Sequence, residues 1–365
     1  MKVGFVVNPI AGMGGSVALK GTDGYETLRE AIARGARKVA PARALAALLE
    51  IKRRDLDLEF VTVGGEMGAD ELSAAGFEYL VLLAPSPNSK REDTVRAVEA
   101  FISEGVEMIL FAGGDGTARD ISSVAGTRVP VLGIPSGVKM HSSVFAVTPE
   151  RAANALAAFA ESGRVREAEV MDVDEDAFRE GILRAKLFGV VRVPDDTANI
   201  QAGKDSYHSA DAQDQTDELA KYLADTMEKG TTYILGPGST TAAVAAQLGL
   251  RKTILGVDVL RDGRIIVADA REVDLLRPDY DEPVRIVVSP VGAQGFFFGR
   301  GNQQISPAVI RKVGVGNVIV IATPTKLLGT PELRVDTGDP DLDSRFGGHV
   351  KVIVGYGRRR LVKVS

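Results

Sequence analysis

The chain has 365 residues, 45% of them apolar and 25% charged, with a net charge of −5. This is the composition of a folded soluble protein. It excludes disorder, a collagen-like repeat or a coiled-coil rod for the chain as a whole, and it shows no basic footprint for nucleic acid. There is no cysteine and there are only three histidines, which rules out thiolate catalysis, disulfides and cysteine-ligated metal and argues against a histidine-rich metal site. Glycine is in excess, 40 residues, and glycine marks tight turns and close backbone approach. No apolar leader pattern opens the chain and no stretch reaches the roughly 18 apolar residues of a membrane span, so the expectation is a cytoplasmic protein with no membrane partner.

The first half alternates apolar runs with helical patterns. Val3–Val7 is a β-branched run ending at Asn8-Pro9. Helices are expected over 26–39 and 42–53, divided by Pro41, then a strand over 56–63, a short helix over 70–75 and a buried strand over 79–84. A helix over 92–103 and apolar runs at 108–112 and 129–134 follow. Strands without polar alternation, each followed by a helix, predict a parallel sheet covered on both faces. Thr148-Pro149-Glu150 is a helix start. Beyond it come strands at 167–173, 185–193 and 231–235, a polar loop at 198–209, a helix over 217–229, a hairpin around Arg261-Asp262-Gly263-Arg264 and a strand at 284–288. This part reads as mixed α+β with more antiparallel pairing. Ser306-Pro307 starts another helix, 318–322 is a buried strand, 336–348 reads as an acidic surface loop, and a hairpin closes the chain. The expected fold class is α/β in two domains. A parallel-sheet nucleotide- or phosphate-binding domain covers 1–148 and a β-rich substrate domain 149–300, and 301–365 returns toward the first domain.

The segment EMILFAGGDGTARDISSV, 107–124, runs an apolar strand into Gly113-Gly114-Asp115-Gly116-Thr117 and then a helix. Strand, glycine loop and helix N-terminus make an anion site, because backbone N–H groups point outward and the helix dipole favours negative charge. Thr117 and Asp120 have capping-box spacing, which makes Thr117 the expected cap. A carboxylate in a phosphate loop repels phosphate and needs a reason. Asp115 either binds the magnesium that accompanies a nucleotide or accepts a proton from an attacking hydroxyl, the bland alternative being an Asx-turn.

NPIAGMGG, 8–15, is a second glycine loop at a strand end. Its spacing is not GxGxxG. Asn8 either bonds a phosphate or holds the GGDGT loop, and Gly12 allows close approach. In GIPSGVKMHSSVF, 133–145, Lys139 can neutralise a phosphate, Ser136, Ser142 and Ser143 can donate hydrogen bonds, and His141 is a weaker donor candidate. GPGSTT, 236–241, places Ser239, Thr240 and Thr241 after Gly236 and Gly238 at a helix start, to hold a phosphate or ribose or simply to cap the helix through Ser239 or Thr240. In GAQGFFFGRG, 292–301, Arg300 is a further phosphate candidate.

NPIAG with FAGGDGT resembles the superfamily of NAD kinases, diacylglycerol and sphingosine lipid kinases and 6-phosphofructokinases. GIPSGVKMHSSVFA and GPGSTT look like the ATP-NAD kinase group related to AcoX proteins. The resemblance implies a two-domain kinase using ATP and Mg2+, with Asp115 as base and its glycines and Thr117 on phosphates. It carries over Gly238, Ser239 and Thr240, with Ser136 and Gly137 on the substrate side. One departure is that no Asn-Asn-Glu acceptor motif follows the GGDGT loop. The expected activity is phosphorylation of a small-molecule hydroxyl, with the 2′-hydroxyl of NAD as leading acceptor. The alternatives are another hydroxylated metabolite or lipid headgroup, or a nucleotide-binding regulator without turnover.

Three consecutive phenylalanines, 296–298, raise the question of cover. Strand alternation points Phe297 opposite to Phe296 and Phe298. A face left without cover within the chain predicts a homo-oligomer; burial on both sides within one chain is the alternative.

Overall fold

Apolar runs that break at glycine or proline form a five-stranded, all-parallel sheet in the first part of the computed structural model. Its strands are β1 (Lys2–Val7), β2 (Glu59–Val63), β3 (Tyr79–Leu83), β4 (Met108–Gly113) and β5 (Val131–Pro135), in the order β3-β2-β1-β4-β5. The helices between and after them are α1 (Tyr25–Ala33), α2 (Ala40–Lys52), α3 (Ala69–Ala74), α4 (Arg91–Ser103), α5 (Asp115–Ala125) and α6 (Pro149–Ser162). Pro41 lies in the first turn of α2, where its missing N–H costs nothing. Thr148 caps α6 by accepting from the Arg151 N–H at 3.2 Å. The core includes Phe5, Phe60, Phe101, Phe111 and Phe145. The chain runs outward from β1 to β3 and then returns to the other side of β1 with β4. The loops after β1 and β4 therefore leave adjacent strand ends in opposite directions, and such a reversal is where open α/β sheets bind ligands.

The structure describes residues 1–19, 25–86, 89–137, 140–173, 185–201, 210–277, 283–291 and 294–365. The chain divides into two compact units. One comprises Met1–Met13, Gly21–Ala33 and Arg37–Lys204, the other Gly14–Lys20, Arg34–Ala36 and Asp205–Ser365. This departs from the expected boundary after 148. An antiparallel ribbon of β6 (Val165–Val173) and β7 (Ala185–Pro194) packs on α5, and that keeps 149–204 with the first unit. The strand expected to be buried at 79–84 is instead an edge: β3 pairs with β2, and Leu80 and Val81 are exposed.

The second unit holds α7 (Ala210–Asp225), β8 (Thr232–Leu235), α8 (Ser239–Gln247), β9 (Asp258–Arg261), β10 (Arg264–Val267), α9 (Glu272–Leu275), β11 (Val284–Val288), β12 (Phe296–Phe298), α10 (Pro307–Val313), β13 (Val318–Ile321), α11 (Pro324–Leu328), β14 (Glu332–Val335), α12 (Pro340–Ser344), β15 (Gly348–Gly355) and β16 (Arg358–Val364). Its nine strands form one mixed sheet, β10-β9-β8-β11-β13-β15-β16-β14-β12. The expected mixture with more antiparallel pairing is present over 149–300, where β6 with β7, β8 with β9 and β9 with β10 pair antiparallel and β8 with β11 pairs parallel. One expectation is corrected here. Residues 301–365 join this second sheet, with β13 beside β11, and do not return to the first. The hairpin at 261–264 is present, with Asp262 and Gly263 both at positive φ as a type I′ turn requires. Among the described residues no helix is long and apolar enough to cross a membrane.

The three consecutive phenylalanines follow the second of their two sequence readings, burial on both sides within one chain. Phe296, Phe297 and Phe298 are all fully buried within one chain. The register slips between Phe296 and Phe298, so alternation fails at Phe297. Phe297 and Phe298 both pack against Phe346, at 5.5 Å between ring centres, while Phe296 lies under the Arg300 guanidinium.

Glu71 on α3 is buried, and its Oε2 has no hydrogen-bond partner. Burial pushes its carboxyl from 4.5 up to about 7. Between these values the folded chain holds a proton that the unfolded chain releases, so stability falls as pH rises through the window. Glu71→Gln is expected to flatten that decline in urea denaturation between pH 5 and pH 7.5, and an unchanged slope counts against it.

Candidate functional site

Asp115 occupies the first position of α5, directly after the strand–glycine turn. The expected cap, Thr117, is not the cap. Gly114 takes that position in extended conformation without a side-chain bond, which moves the helix start back and puts Asp115 in the first turn. Both carboxylate oxygens accept backbone N–H groups from across the fold, His141 to Oδ2 at 2.6 Å and Ser142 to Oδ1 at 3.0 Å. All three residues are buried. Two donors on one planar group fix its position and orientation, which is what a preorganised acid–base group requires.

The loop that supplies those N–H groups is itself pinned. The Ser142 hydroxyl donates to the Met171 carbonyl and accepts from the Met171 N–H, both at 2.9 Å. Ser143 does the same with Glu169, both at 3.2 Å. Gln201 holds the Ser142 carbonyl at 3.1 Å. The two serines therefore bridge to the backbone of β6 and are not the phosphate donors expected from sequence. His141 contributes its backbone N–H to Asp115.

Asn8 settles between its two sequence readings: its Nδ2 donates to the Thr117 hydroxyl at 2.9 Å, so it holds the GGDGT loop. The Ser136 N–H donates to the Gly113 carbonyl at 2.9 Å, and its hydroxyl turns back to the Ile134 carbonyl at 3.2 Å. Gly12 has φ +79, and a Cβ there would stand 2.0 Å from the Ser136 carbonyl oxygen. A Cβ on Gly114 would lie 3.0 Å from the Gly137 Cα. Three loops thus converge at the ends of β1, β4 and β5, bringing together Asn8, Gly12, Gly113, Gly114, Asp115, Gly116, Thr117, Ser136 and Gly137. Lys139 lies outside the described residues.

The 236–241 turn belongs to the second unit. Gly238, at φ +117, is the N-cap of α8 and no side chain caps it, neither Ser239 nor Thr240. The Thr241 hydroxyl is spent inside the turn, on the Gly236 carbonyl at 2.6 Å and the Gly238 carbonyl at 3.0 Å. Thr240 is buried and Ser239 is exposed. Arg300 is not a surface phosphate ligand. It is buried and paired with Asp336 at 2.6 Å, so the 336–348 segment is not simply a surface loop, and Leu342 and Phe346 within it are core residues.

Among the described residues the donor set forms no magnesium cage built by protein alone. Among the described residues no three His, Cys, Asp or Glu side chains gather around a common point, and each oxygen of Asp115 already accepts an amide. Sequence reasoning missed the amides on Asp115 and the serine bridges to β6. The only local signal for them is a Ser-Ser pair in a loop after a strand.

Comparison with known families gives two matches. Residues 3–165 match the ATP-NAD kinase N-terminal domain, and residues 228–364 match the ATP-NAD kinase C-terminal domain. No curated protein matches the chain.

Proposed function

We propose, from the premise that the chain belongs to the NAD kinase superfamily, that it transfers the γ-phosphoryl group of ATP to a small-molecule hydroxyl, the 2′-hydroxyl of NAD being the leading acceptor and NADP the product. The family implies a phosphotransferase with an alcohol acceptor. The observation that carries the reading is Asp115, clamped by two backbone N–H groups beside the glycine loops at the strand reversal. In the reaction the acceptor oxygen forms a bond to the γ-phosphorus, the bond from that phosphorus to the ADP oxygen breaks, and Asp115 takes the hydroxyl proton. Gly12, Gly113, Gly114, Gly116 and Thr117 offer close backbone approach to phosphates. We assign Ser136 and Gly137, and Lys139 beside them, to the same ligand, and the 236–241 turn to a second ligand group. Mg2+ enters as the companion of ATP, held through its phosphates, and supplies charge neutralisation there. The kinship with AcoX proteins rests on the motifs alone.

A second reading, a kinase for another hydroxylated metabolite, is favoured by the missing Asn-Asn-Glu motif. ADP release measured across a panel of alcohols with NAD included tests both. NADP formation is the expected result. Turnover of another acceptor and none of NAD overturns the NAD reading. Tight ATP binding without product for any acceptor turns the reading toward a regulator.

A further inference from the structure

The chain is acidic as a whole, yet no Asp or Glu occurs after Asp343, and residues 344–365 carry six Lys and Arg. Three of these stand on one face of the hairpin formed by β15 and β16. The antiparallel register sets His349 opposite Lys363, Lys351 opposite Leu361 and Ile353 opposite Arg359. Directly opposed residues share a face, and so do residues two apart along a strand. The other face, with Val350, Val352, Val362 and Val364, packs into the core of the second unit. Helix α7 covers the first face only as far as Ile353, which is buried in one cluster with Leu219, Ala220 and Leu223. Beyond Ile353 that face is open: His349, Lys351, Arg359, Leu361 and Lys363 are all exposed.

The open face has a definite chemistry. Leu361 stands 63% exposed at its centre. Lys351 lies across from it, and Arg359 and Lys363 flank it along the strand, roughly 7 Å away on either side. Among the described residues the hairpin forms two ion pairs, Arg358 with Glu218 at 2.7 Å and Lys363 with Glu332 at 2.6 Å. Lys351 and Arg359 therefore carry uncompensated positive charge beside an exposed leucine. Like charges this close on one face repel each other, and an anionic partner relieves the repulsion. The negative charge of the rest of the chain acts weakly there, because charges more than about 8–10 Å away are screened at physiological salt.

We propose that this face docks on an anionic lipid surface, with Leu361 entering the headgroup region and Lys351, Arg359 and Lys363 lying against the lipid phosphates and carboxylates. Charge complementarity alone also suits a nucleic acid, and the leucine decides between the two. A phosphodiester backbone offers Leu361 no apolar contact, whereas the headgroup–acyl boundary does. Single-stranded nucleic acid is held by stacking on aromatic rings, and no Phe, Tyr or Trp stands among the residues of this face. The expectation of no membrane partner rested on the lack of a spanning segment, which surface docking does not need. The proposal is independent of the kinase reading and adds a membrane-surface location to it.

The test is co-sedimentation of the full chain with vesicles. Binding is expected to vesicles of phosphatidylcholine with about one-third phosphatidylserine, and to be lost in about 0.5 M salt. Vesicles of phosphatidylcholine alone should bind far less. The double variant Lys351→Gln, Arg359→Gln is expected to weaken binding about 25-fold, roughly five-fold for each cation removed near an anionic surface. Leu361→Ser should weaken it about five-fold through the lost apolar contact. All three positions are exposed, so the variants leave the core intact, and thermal unfolding checks that they do. Arg53→Gln removes an exposed charge in the first unit and is expected to change nothing. The proposal is overturned if the unaltered protein ignores anionic vesicles, if Arg53→Gln weakens binding as far as the double variant, or if Leu361→Ser has no effect. It is overturned in favour of nucleic acid if a single-stranded oligonucleotide binds more tightly than the vesicles and loses affinity in the double variant alone. A salt-sensitive dimer abolished by the same substitutions, without vesicle binding, overturns it in favour of a second copy.

Discussion

Asp115→Asn is expected to lower kcat by about 10²–10⁴-fold with the KM for ATP little changed, the scale of one lost proton transfer. The substitution is nearly isosteric, but it changes two things at once. The amide cannot take the hydroxyl proton. It also presents an NH2 to one of two backbone donors, at His141 (2.6 Å) or Ser142 (3.0 Å), whichever way it is flipped. A donor facing a donor in a buried site costs about 1–3 kcal/mol, so some loss of melting temperature should accompany the loss of rate. The two effects separate because the stability term is present without substrate. Steady-state kinetics alongside thermal unfolding decides the matter. A variant that turns over within ten-fold of the parent removes Asp115 from the chemistry, whatever its stability.

The parts of this site that could be read from sequence are local ones. An apolar run, a glycine cluster and a helix pattern in succession at 107–124 specify strand, turn and helix from neighbouring residues alone, and β4, Gly113–Gly114 and α5 follow that order. The family resemblance works at the same level, through short motifs, and the two domain matches agree with it. What escaped reading depends on pairs far apart in the chain. The amides on Asp115 come from 26 and 27 residues away. Whether β3 lies inside or at the edge depends on which strands are laid beside it, and Tyr79–Leu83 has the same apolar character either way. The helix start at Asp115 depends on loop conformation, not on capping-box spacing. At Phe297 the period of two fails because of a register slip set by β14, which the phenylalanine run itself does not encode. Which strands of the second sheet lie side by side in parallel is hidden for the same reason: β11 neighbours β13 only after the chain has passed through β12 and α10.

Arg300→Met is expected to destabilise the protein by about 3–5 kcal/mol while leaving the KM for ATP of the remaining folded protein unchanged. Sequence position among glycines made Arg300 a phosphate candidate, and its surroundings say otherwise. Arg300 and Asp336 are each about 95% removed from solvent and 2.6 Å apart. The guanidinium also lies 4.4 Å from the centre of the Phe296 ring. Replacing the arginine by methionine keeps much of the apolar stem and its contact with the ring, so the loss reports chiefly the carboxylate of Asp336 left buried without its cation. That penalty exceeds what the pair contributes as a pair, since desolvation cancels much of the attraction between two buried charges. The double variant Arg300→Met, Asp336→Leu should therefore recover a large part of the lost stability, because it removes the stranded charge as well. Urea denaturation of the parent, the single and the double variants measures this cycle. If Arg300 held a phosphate of the nucleotide, the single variant would raise the KM for ATP and the double would not restore it. A raised KM without loss of stability would return Arg300 to the ligand.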